Sequence, residues 1–258
     1  MLFNRIASTI GVLVTAALMA SAAPGTPRAV AISNENVFPH IADGDEWTTS
    51  FTLINLSPSP ASYVLRFFGD DGNPLVLGIA GVGNTSAVSG VLPVNGSDVL
   101  ETTGGVGVLQ GWARVDTFST IGGFAVFKSH RPGRAYDFEA AVPVSSPLEH
   151  RFMMAFDNTN GFLTGIAVAN PSATETAHVS LTFRDTAGNV IVGGGTLTMP
   201  PLTHFAFIVT EPDQYPQTAG QRGVVEFSTP TSSLSGLGLR FNPTGPLTST
   251  SPFSNTSW

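Results

Sequence analysis

The sequence predicts an all-β protein whose main part consists of two tandem antiparallel β-sandwich domains. Three observations lead to this prediction: few charged residues, many glycines and prolines, and an internal repeat with a spacing of about 115 residues. Only 11% of the 258 residues are charged, while the chain contains 28 Gly and 19 Pro. This composition is typical of short strands joined by many turns, and it argues against a helical bundle.

The repeat is visible as five pairs of aligned segments in the same order along both halves. The pairs are 49–57 with 164–172, 61–67 with 177–183, 71–73 with 187–189, 111–115 with 223–227, and 123–128 with 236–241. Each pair joins an apolar run or a turn of one half to its counterpart in the other. The repeat therefore indicates two copies of one domain.

Alternation of apolar residues within the repeat predicts core strands. The alternating apolar residues are Tyr63, Leu65 and Phe67 in the first copy and Val179, Leu181 and Phe183 in the second. A period of two with one preserved apolar face is the pattern of a half-buried strand. Because a slip of one residue would turn that face toward water, the shared phase indicates that both strands bury the same face.

Turn residues follow these strands in both copies. Gly72 and Gly188 are each followed by asparagine, and both residue types accept a positive φ, so the sequence predicts hairpin turns there. Asn55 and Asn170 each end a strand before a loop with proline and serine. We expect a structural role for them, because an asparagine side chain can bond the backbone of its own loop.

The N-terminus has the pattern of a secretory signal peptide, predicted over residues 1–23. Arg5 gives a positive start, an apolar stretch covers 6–19, and the small residues 20–22 suit cleavage. An uncleaved N-terminal anchor is the alternative, but the apolar stretch is short for a membrane span. We therefore expect a protein secreted to the periplasm, the cell surface or the exterior.

The remaining chain divides into a polar leader, two sandwiches and a tail. We place the leader at 24–36, the first sandwich at 37–144, the second at 148–247 and a flexible tail at 248–258. Each sandwich should contain about seven strands.

Composition also bears on partners and cofactors. The chain has no cysteine, which excludes disulfides, thiolate metal sites and cysteine nucleophiles. Its net charge is -7 and Lys128 is its one lysine, so the basic surface that nucleic acid requires is missing. We expect no nucleic-acid partner, no membrane insertion of the mature chain and no cofactor, and leave an unknown protein or glycan as the partner.

One acidic cluster is a weak candidate for a metal site. Asp43, Asp45 and Glu46 lie together before the first strand of the repeat, and oxygen-rich loops can bind calcium. The spacing lacks the full calcium-loop pattern, and the aligned stretch 157–160 of the second copy keeps only one carboxylate. A solvated loop is the simpler interpretation.

The sequence contains no pattern that assigns catalysis. Its five histidines are His40, His130, His150, His178 and His204, and none stands in a metal-binding spacing. A Gly-x-Ser-x-Gly elbow is also missing. Consequently, no catalytic and no cofactor-binding residue is predicted.

Two tryptophans are weak candidates for ligand binding. Trp112 should point outward if Ala113 faces the core, and Trp47 lies beside the acidic loop, so either could stack on a sugar. Burial between the two copies is the competing interpretation, and Phe68 and Phe127 are expected to point outward and to pack there as well.

The repeated pattern of strand, Asn/Ser loop, strand and Gly turn, at 51–57 with 63–73 and at 166–172 with 178–189, resembles the immunoglobulin-like modules of exported bacterial proteins. This resemblance implies a structural, adhesion or ligand-binding module without catalysis. A secreted hydrolase and a carbohydrate-binding accessory protein remain alternatives, since a fold alone does not assign a function. Any activity is expected in residues that the two copies do not share, or at the contact between the two copies.

Overall fold

The computed structural model describes residues 36–133, 137–145, 150–230 and 232–254. The predicted signal peptide and nearly all of the leader lie outside the described residues. Apart from a short 3-10 helix, Pro216–Thr218, the regular structure of the described residues is strand, so the all-β prediction is confirmed.

The first half contains ten strands: β1 (Asn36–Asp43), β2 (Trp47–Asn55), β3 (Ala61–Gly69), β4 (Leu77–Ile79), β5 (Gly83–Thr85), β6 (Ala87–Leu92), β7 (Ser97–Glu101), β8 (Leu109–Thr117), β9 (Ile121–Ser129) and β10 (Phe138–Pro143). The second half contains nine: β11 (Arg151–Asp157), β12 (Leu163–Ala169), β13 (Ala177–Asp185), β14 (Val190–Met199), β15 (His204–Ile208), β16 (Arg222–Ser228), β17 (Ser235–Phe241), β18 (Leu247–Thr250) and β19 (Phe253–Ser254).

These strands form four main antiparallel sheets, two in each half. Sheet I has the order β1-β8-β3-β6 and sheet II the order β10-β9-β2-β7. In the second half, sheet III has the order β19-β11-β16-β13-β14 and sheet IV the order β18-β17-β12-β15. Apart from β19, each strand of the second half stands where its counterpart stands in the first, so the two halves have the same strand order.

Each half has its own hydrophobic core, formed by the residues that alternate inward. In the first core, Tyr63, Leu65 and Phe67 of sheet I meet Phe51 and Leu53 of sheet II. In the second core, the alternating residues of β13 (Val179, Leu181 and Phe183) meet Ile166 and Val168 of sheet IV. The strand phase read from the sequence is therefore the phase that buries these faces.

Two asparagines close the same loop in the two halves. The Asn55 side-chain amide donates to the carbonyl oxygens of Ser59, Leu92 and Pro93, at 2.8, 3.3 and 3.0 Å. Asn170 donates in the same way, and its partners are the carbonyl oxygens of Glu175, Met199 and Pro200. Each asparagine also accepts from the amide of the serine two residues later. Both are buried, so their structural role is fixed by hydrogen bonds that replace water.

Two glycines allow close strand contact at equivalent positions. A Cβ atom at Gly111 would meet the carbonyl oxygen of Phe68, and one at Gly223 would meet that of Arg184. Gly111 pairs with the last residue of β3, and Gly223 with the last residue of β13. Both halves therefore require a glycine at the same position of the pairing between these neighbouring strands.

The predicted glycine turns form, but they lead to different strands. Gly72 and Gly188 have φ values of 80° and 85°, and their amides donate to Gly69 and Asp185, respectively. In the second half the turn joins the paired strands β13 and β14. In the first half the separate ribbon β4-β5 intervenes before β6 pairs with β3, because Leu77 and Ile79 are buried in the first core.

Residues 248–254, which the composition assigns to a flexible tail, contribute to two strands. β18 pairs with β17, and β19 pairs with β11 at the edge of sheet III. The Ser249 hydroxyl also donates to the carbonyl oxygen of Ala141 in β10. This bond ties the edge of sheet IV to the edge of sheet II.

Among the described residues, there is no helix with the length and apolar character that crossing a bilayer demands.

Candidate functional site

The two halves meet where sheet IV packs on strand β1, and where Phe68 and Trp112 of sheet I pack with Ala169 and Leu202 of the second half; we call this contact surface the seam. All eight residues of β1 are buried. Ala167 and Leu237 of sheet IV join the first core although they belong to the second half. Small side chains on β12 let β1 approach sheet IV closely, so β12 is covered on both faces of sheet IV.

Trp112 lies in the seam, and its indole is therefore not available as a stacking surface. As the alternation predicts, it faces away from the first core, but the second half covers that face and leaves it 0% exposed. Its ring stacks on Phe68, with centroids 4.6 Å apart, and its indole N–H donates to the carbonyl oxygen of Leu202 at 2.7 Å. A glycan could reach this ring only if the halves separated.

Phe68 packs in the seam as expected, whereas the expectation for Phe127 is wrong. Phe127 is fully buried in the first core, where its ring also meets the edge of His40. On β9, the alternation places Ala125 and Phe127 inward and leaves Phe124 as the outward aromatic residue, 39% exposed.

A hydrogen-bonded chain of polar side chains crosses the seam. Asp70 Oδ1 lies 2.7 Å from His204 Nδ1, and His204 Nε2 lies 3.2 Å from His40 Nδ1. Gln110 donates to the other oxygen of Asp70 at 2.9 Å. Asp70, Gln110 and His40 come from the first half and His204 from the second. We call these four residues the seam network.

Burial controls the charge of His40 in the seam network. His40 and His204 are 7% and 3% exposed and their rings stack, while Asp70 remains partly exposed. Burial, together with the charge of His204, lowers the pKa of His40 to about 3. His40 is therefore neutral at pH 7.

An apolar cleft of about 240 Å³ opens beside this network. Its wall is formed by three strands of sheet IV, and its polar residues are His40 and Gln110. The other lining residues are Gly165, Ile166, Ala167, Ala206, Phe207, Ile208, Leu239 and Phe241.

The acidic cluster is divided among different partners. Asp43 is 2% exposed at the end of β1, and its Oδ1 has no hydrogen-bond partner among the described residues. Asp45 Oδ1 accepts from the amide of Gly107 at 2.7 Å. Glu46 Oε1 accepts from Arg131 Nε at 3.1 Å and from the Ser129 hydroxyl at 3.2 Å. Asp45 and Glu46 thus hold the loop to two neighbouring segments.

Within the described ranges, no group of three His, Asp or Glu side chains is placed to hold a metal ion. The weak calcium candidate of Asp43, Asp45 and Glu46 therefore gains no support from the geometry.

Trp47 lines an open pocket of about 490 Å³ with Asp45, Glu46, Val108, His130 and Pro132. We call it the Trp47 pocket. The ring of Trp47 packs against both the first core and the cluster around Phe138, which fixes its position. At the rim, His130 Nδ1 lies 2.6 Å from Asp137 Oδ1. The pocket thus combines an anchored indole with two carboxylates and an exposed imidazole.

The comparisons with known proteins give no assignment: no protein-family model matches the chain, and no curated protein matches it. The site must therefore be interpreted from its own geometry.

Sequence reasoning identified the loop around Trp47 but not the seam network. His40 and His204 are 164 residues apart, and Asp70 and His204 are 134 apart. Spacing therefore contains no signal that joins them. Sequence analysis provided one general indication, that any activity should lie in residues that the copies do not share or between the copies. Asp70 and His204 belong to segments that differ between the halves.

Proposed function

We propose that the protein is an exported, non-catalytic β-sandwich protein that acts as a ligand-binding module of the cell envelope or exterior. We further propose that its ligand is a glycan held in the Trp47 pocket. The observation that carries this proposal is the pocket itself, where an anchored indole lies beside two oriented carboxylates.

The strand order supports two tandem immunoglobulin-like domains as the scaffold. In the first half β2 pairs with β7 and β3 pairs with β8. In the second half the equivalent pairs are β12 with β15 and β13 with β16. The two sheets of an immunoglobulin domain have the same two central pairs. The outer strands β1 and β9 lie in the opposite sheets from the corresponding strands of an immunoglobulin domain, because β1 pairs with β8 and β9 pairs with β2. The resemblance is therefore carried by the four central strands.

The chemistry of the Trp47 pocket suits a sugar. The apolar face of a sugar ring packs on an indole, while its hydroxyl groups donate to carboxylates. Because the Glu46 carboxylate is held by Arg131 and Asp45 by the Gly107 amide, these acceptors lose little freedom when a ligand binds.

Glycan-array binding followed by calorimetry of the purified protein tests the proposal. We expect binding to a subset of glycans, at least tenfold weaker binding after Trp47→Ala, and weaker binding after Glu46→Gln. Phe118→Ala is the matched control, because Phe118 is an exposed aromatic residue in the turn between β8 and β9. Binding to no glycan, or equal loss in the Phe118 variant, would overturn the assignment of this pocket.

The alternative function is a secreted hydrolase that uses the same pocket, and the His130–Asp137 pair is the observation that favours it. A carboxylate that orients an imidazole is a common feature of acid–base catalysis. Release of reducing sugar from a bound glycan, abolished by His130→Gln, would replace the binding proposal with the hydrolase. Binding without product release supports the non-catalytic module.

A further inference from the structure

The apolar cleft in the seam is a second feature, separate from the Trp47 pocket. Its volume of about 240 Å³ exceeds the roughly 150 Å³ at which an engineered apolar cavity takes up benzene. Small residues leave this space open: Gly165, Ala167 and Ala206 lie where larger side chains would fill it. The cleft is therefore large enough for a molecule of one substituted aromatic ring.

The seam network occupies one ring nitrogen of His40. Since the Asp70 carboxylate only accepts, the proton of its bond to His204 lies on His204 Nδ1. His204 Nε2 and His40 Nδ1 share the proton of the second bond. His40 Nε2 is then the ring nitrogen that remains for a ligand.

His40 is uncharged in the neutral pH range. Burial lowers the pKa of His40 to about 3, so the ring that faces the apolar cleft carries no charge there. Among the described residues, the side-chain hydrogen bond of His40 is made through Nδ1. His40 also lines the cleft, where it is one of two polar residues in an otherwise apolar wall.

We propose that this cleft binds a small aromatic or aliphatic molecule with one hydroxyl group, which hydrogen-bonds His40 Nε2 while its apolar body packs on sheet IV. The apolar lining selects the body of the ligand, and the imidazole selects the hydroxyl group. Both halves are needed to form the site, because His40 and Gln110 come from the first half and the wall from the second. This proposal does not depend on glycan binding at Trp47.

Titration of the purified protein with p-cresol and with toluene tests the proposal by NMR. The two probes have a similar size, and only p-cresol has a hydroxyl group. We expect p-cresol to bind about fivefold more tightly than toluene, because one hydrogen bond separates them. We also expect p-cresol, and not toluene, to shift the ¹⁵N resonance of His40 Nε2. Equal affinities, an unchanged His40 resonance, or no binding near the solubility limit would overturn the proposal.

A cleft-filling variant supplies a second test. Ala206→Leu adds volume in the wall at a residue outside the seam network, and it should weaken p-cresol binding at least tenfold. Val91→Ala, at an exposed apolar residue of β6, is the control and should leave binding unchanged. Unchanged binding in a folded Ala206→Leu protein would contradict the site. If that variant does not fold, the two-probe titration of the unaltered protein still decides the proposal.

Discussion

Sheets II and IV have the same strand order, yet one outer face is open and the other is covered. On β2 of sheet II the outward residues are Ser50, Thr52 and Ile54, which are half-buried. The aligned residues on β12 of sheet IV are Gly165, Ala167 and Ala169, which are buried in the seam. The same backbone thus serves as a surface in one half and as an interior layer in the other.

The contrast lies in the side chains on the two outer faces. In stacked repeats, internal faces are closely packed and terminal faces are polar. The outer face of sheet II follows this rule only in part, because the hydroxyl residues Ser50 and Thr52 lie beside Ile54 and the exposed Phe124. On β12 the outer residues are glycine and alanine, which let β1 pack on this strand.

The largest effect is expected from a charge placed in the seam. Ala167→Asp should lower the free energy of unfolding by about 4 kcal/mol, because an unpaired carboxylate would be buried against β1. The matched variant Thr52→Asp, at the aligned position on the open face, should cost less than about 1 kcal/mol. Urea denaturation followed by tryptophan fluorescence measures both. Similar losses in the two variants would show that the two faces are not different environments.

A somewhat smaller effect is expected where the halves are alike. Gly111→Ala and Gly223→Ala should each lower the free energy of unfolding by about 3 kcal/mol, because each Cβ would collide with a carbonyl oxygen of the neighbouring strand. Gly105→Ala is the control, since a Cβ there meets nothing within 4 Å. Calorimetric melting of the three variants makes this comparison. A large loss in one half only would indicate that the halves relax differently at this position.

The smallest of the three effects is a loss of folding stability at low pH, caused by His40 in the seam. The pKa of His40 is about 3 in the folded protein, below its ordinary value of 6.5, so the unfolded chain binds an extra proton between these values. This contribution to stability is present above pH 6.5 and decreases as the pH falls toward 3. Lowering the pH from 7 to 5 should therefore remove about 2 kcal/mol through His40.

Urea denaturation at the two pH values measures this loss. His40→Gln should flatten the pH dependence, whereas His178→Gln, at an exposed position of β13, should leave it unchanged. An unaltered slope in the His40 variant would exclude this histidine as the cause.

Local sequence patterns predicted much of the scaffold. The alternation at Tyr63, Leu65 and Phe67 predicted the buried face of β3, and Gly72 and Gly188 predicted their turns. For the site, the sequence pointed to Trp47 and its acidic loop because these residues are neighbours in the chain. Trp112 shows the limit of that reasoning: its direction followed from the alternation, but what covers it did not.

The all-β class and the phase of the core strands follow from the sequence, because they depend on periods of a few residues and on local turn preferences; the repeat follows from its match with itself. The sheet face that becomes the seam, the place of Trp112 and Phe68 in it, and the network of Asp70, His204 and His40 follow from the packing of distant segments. The hydrogen bonds of Trp112 with Leu202 and of His204 with Asp70 and His40 join residues 90 to 164 positions apart, where local periodicity contains no information. They arise because β1 of one half packs on the small residues of sheet IV in the other.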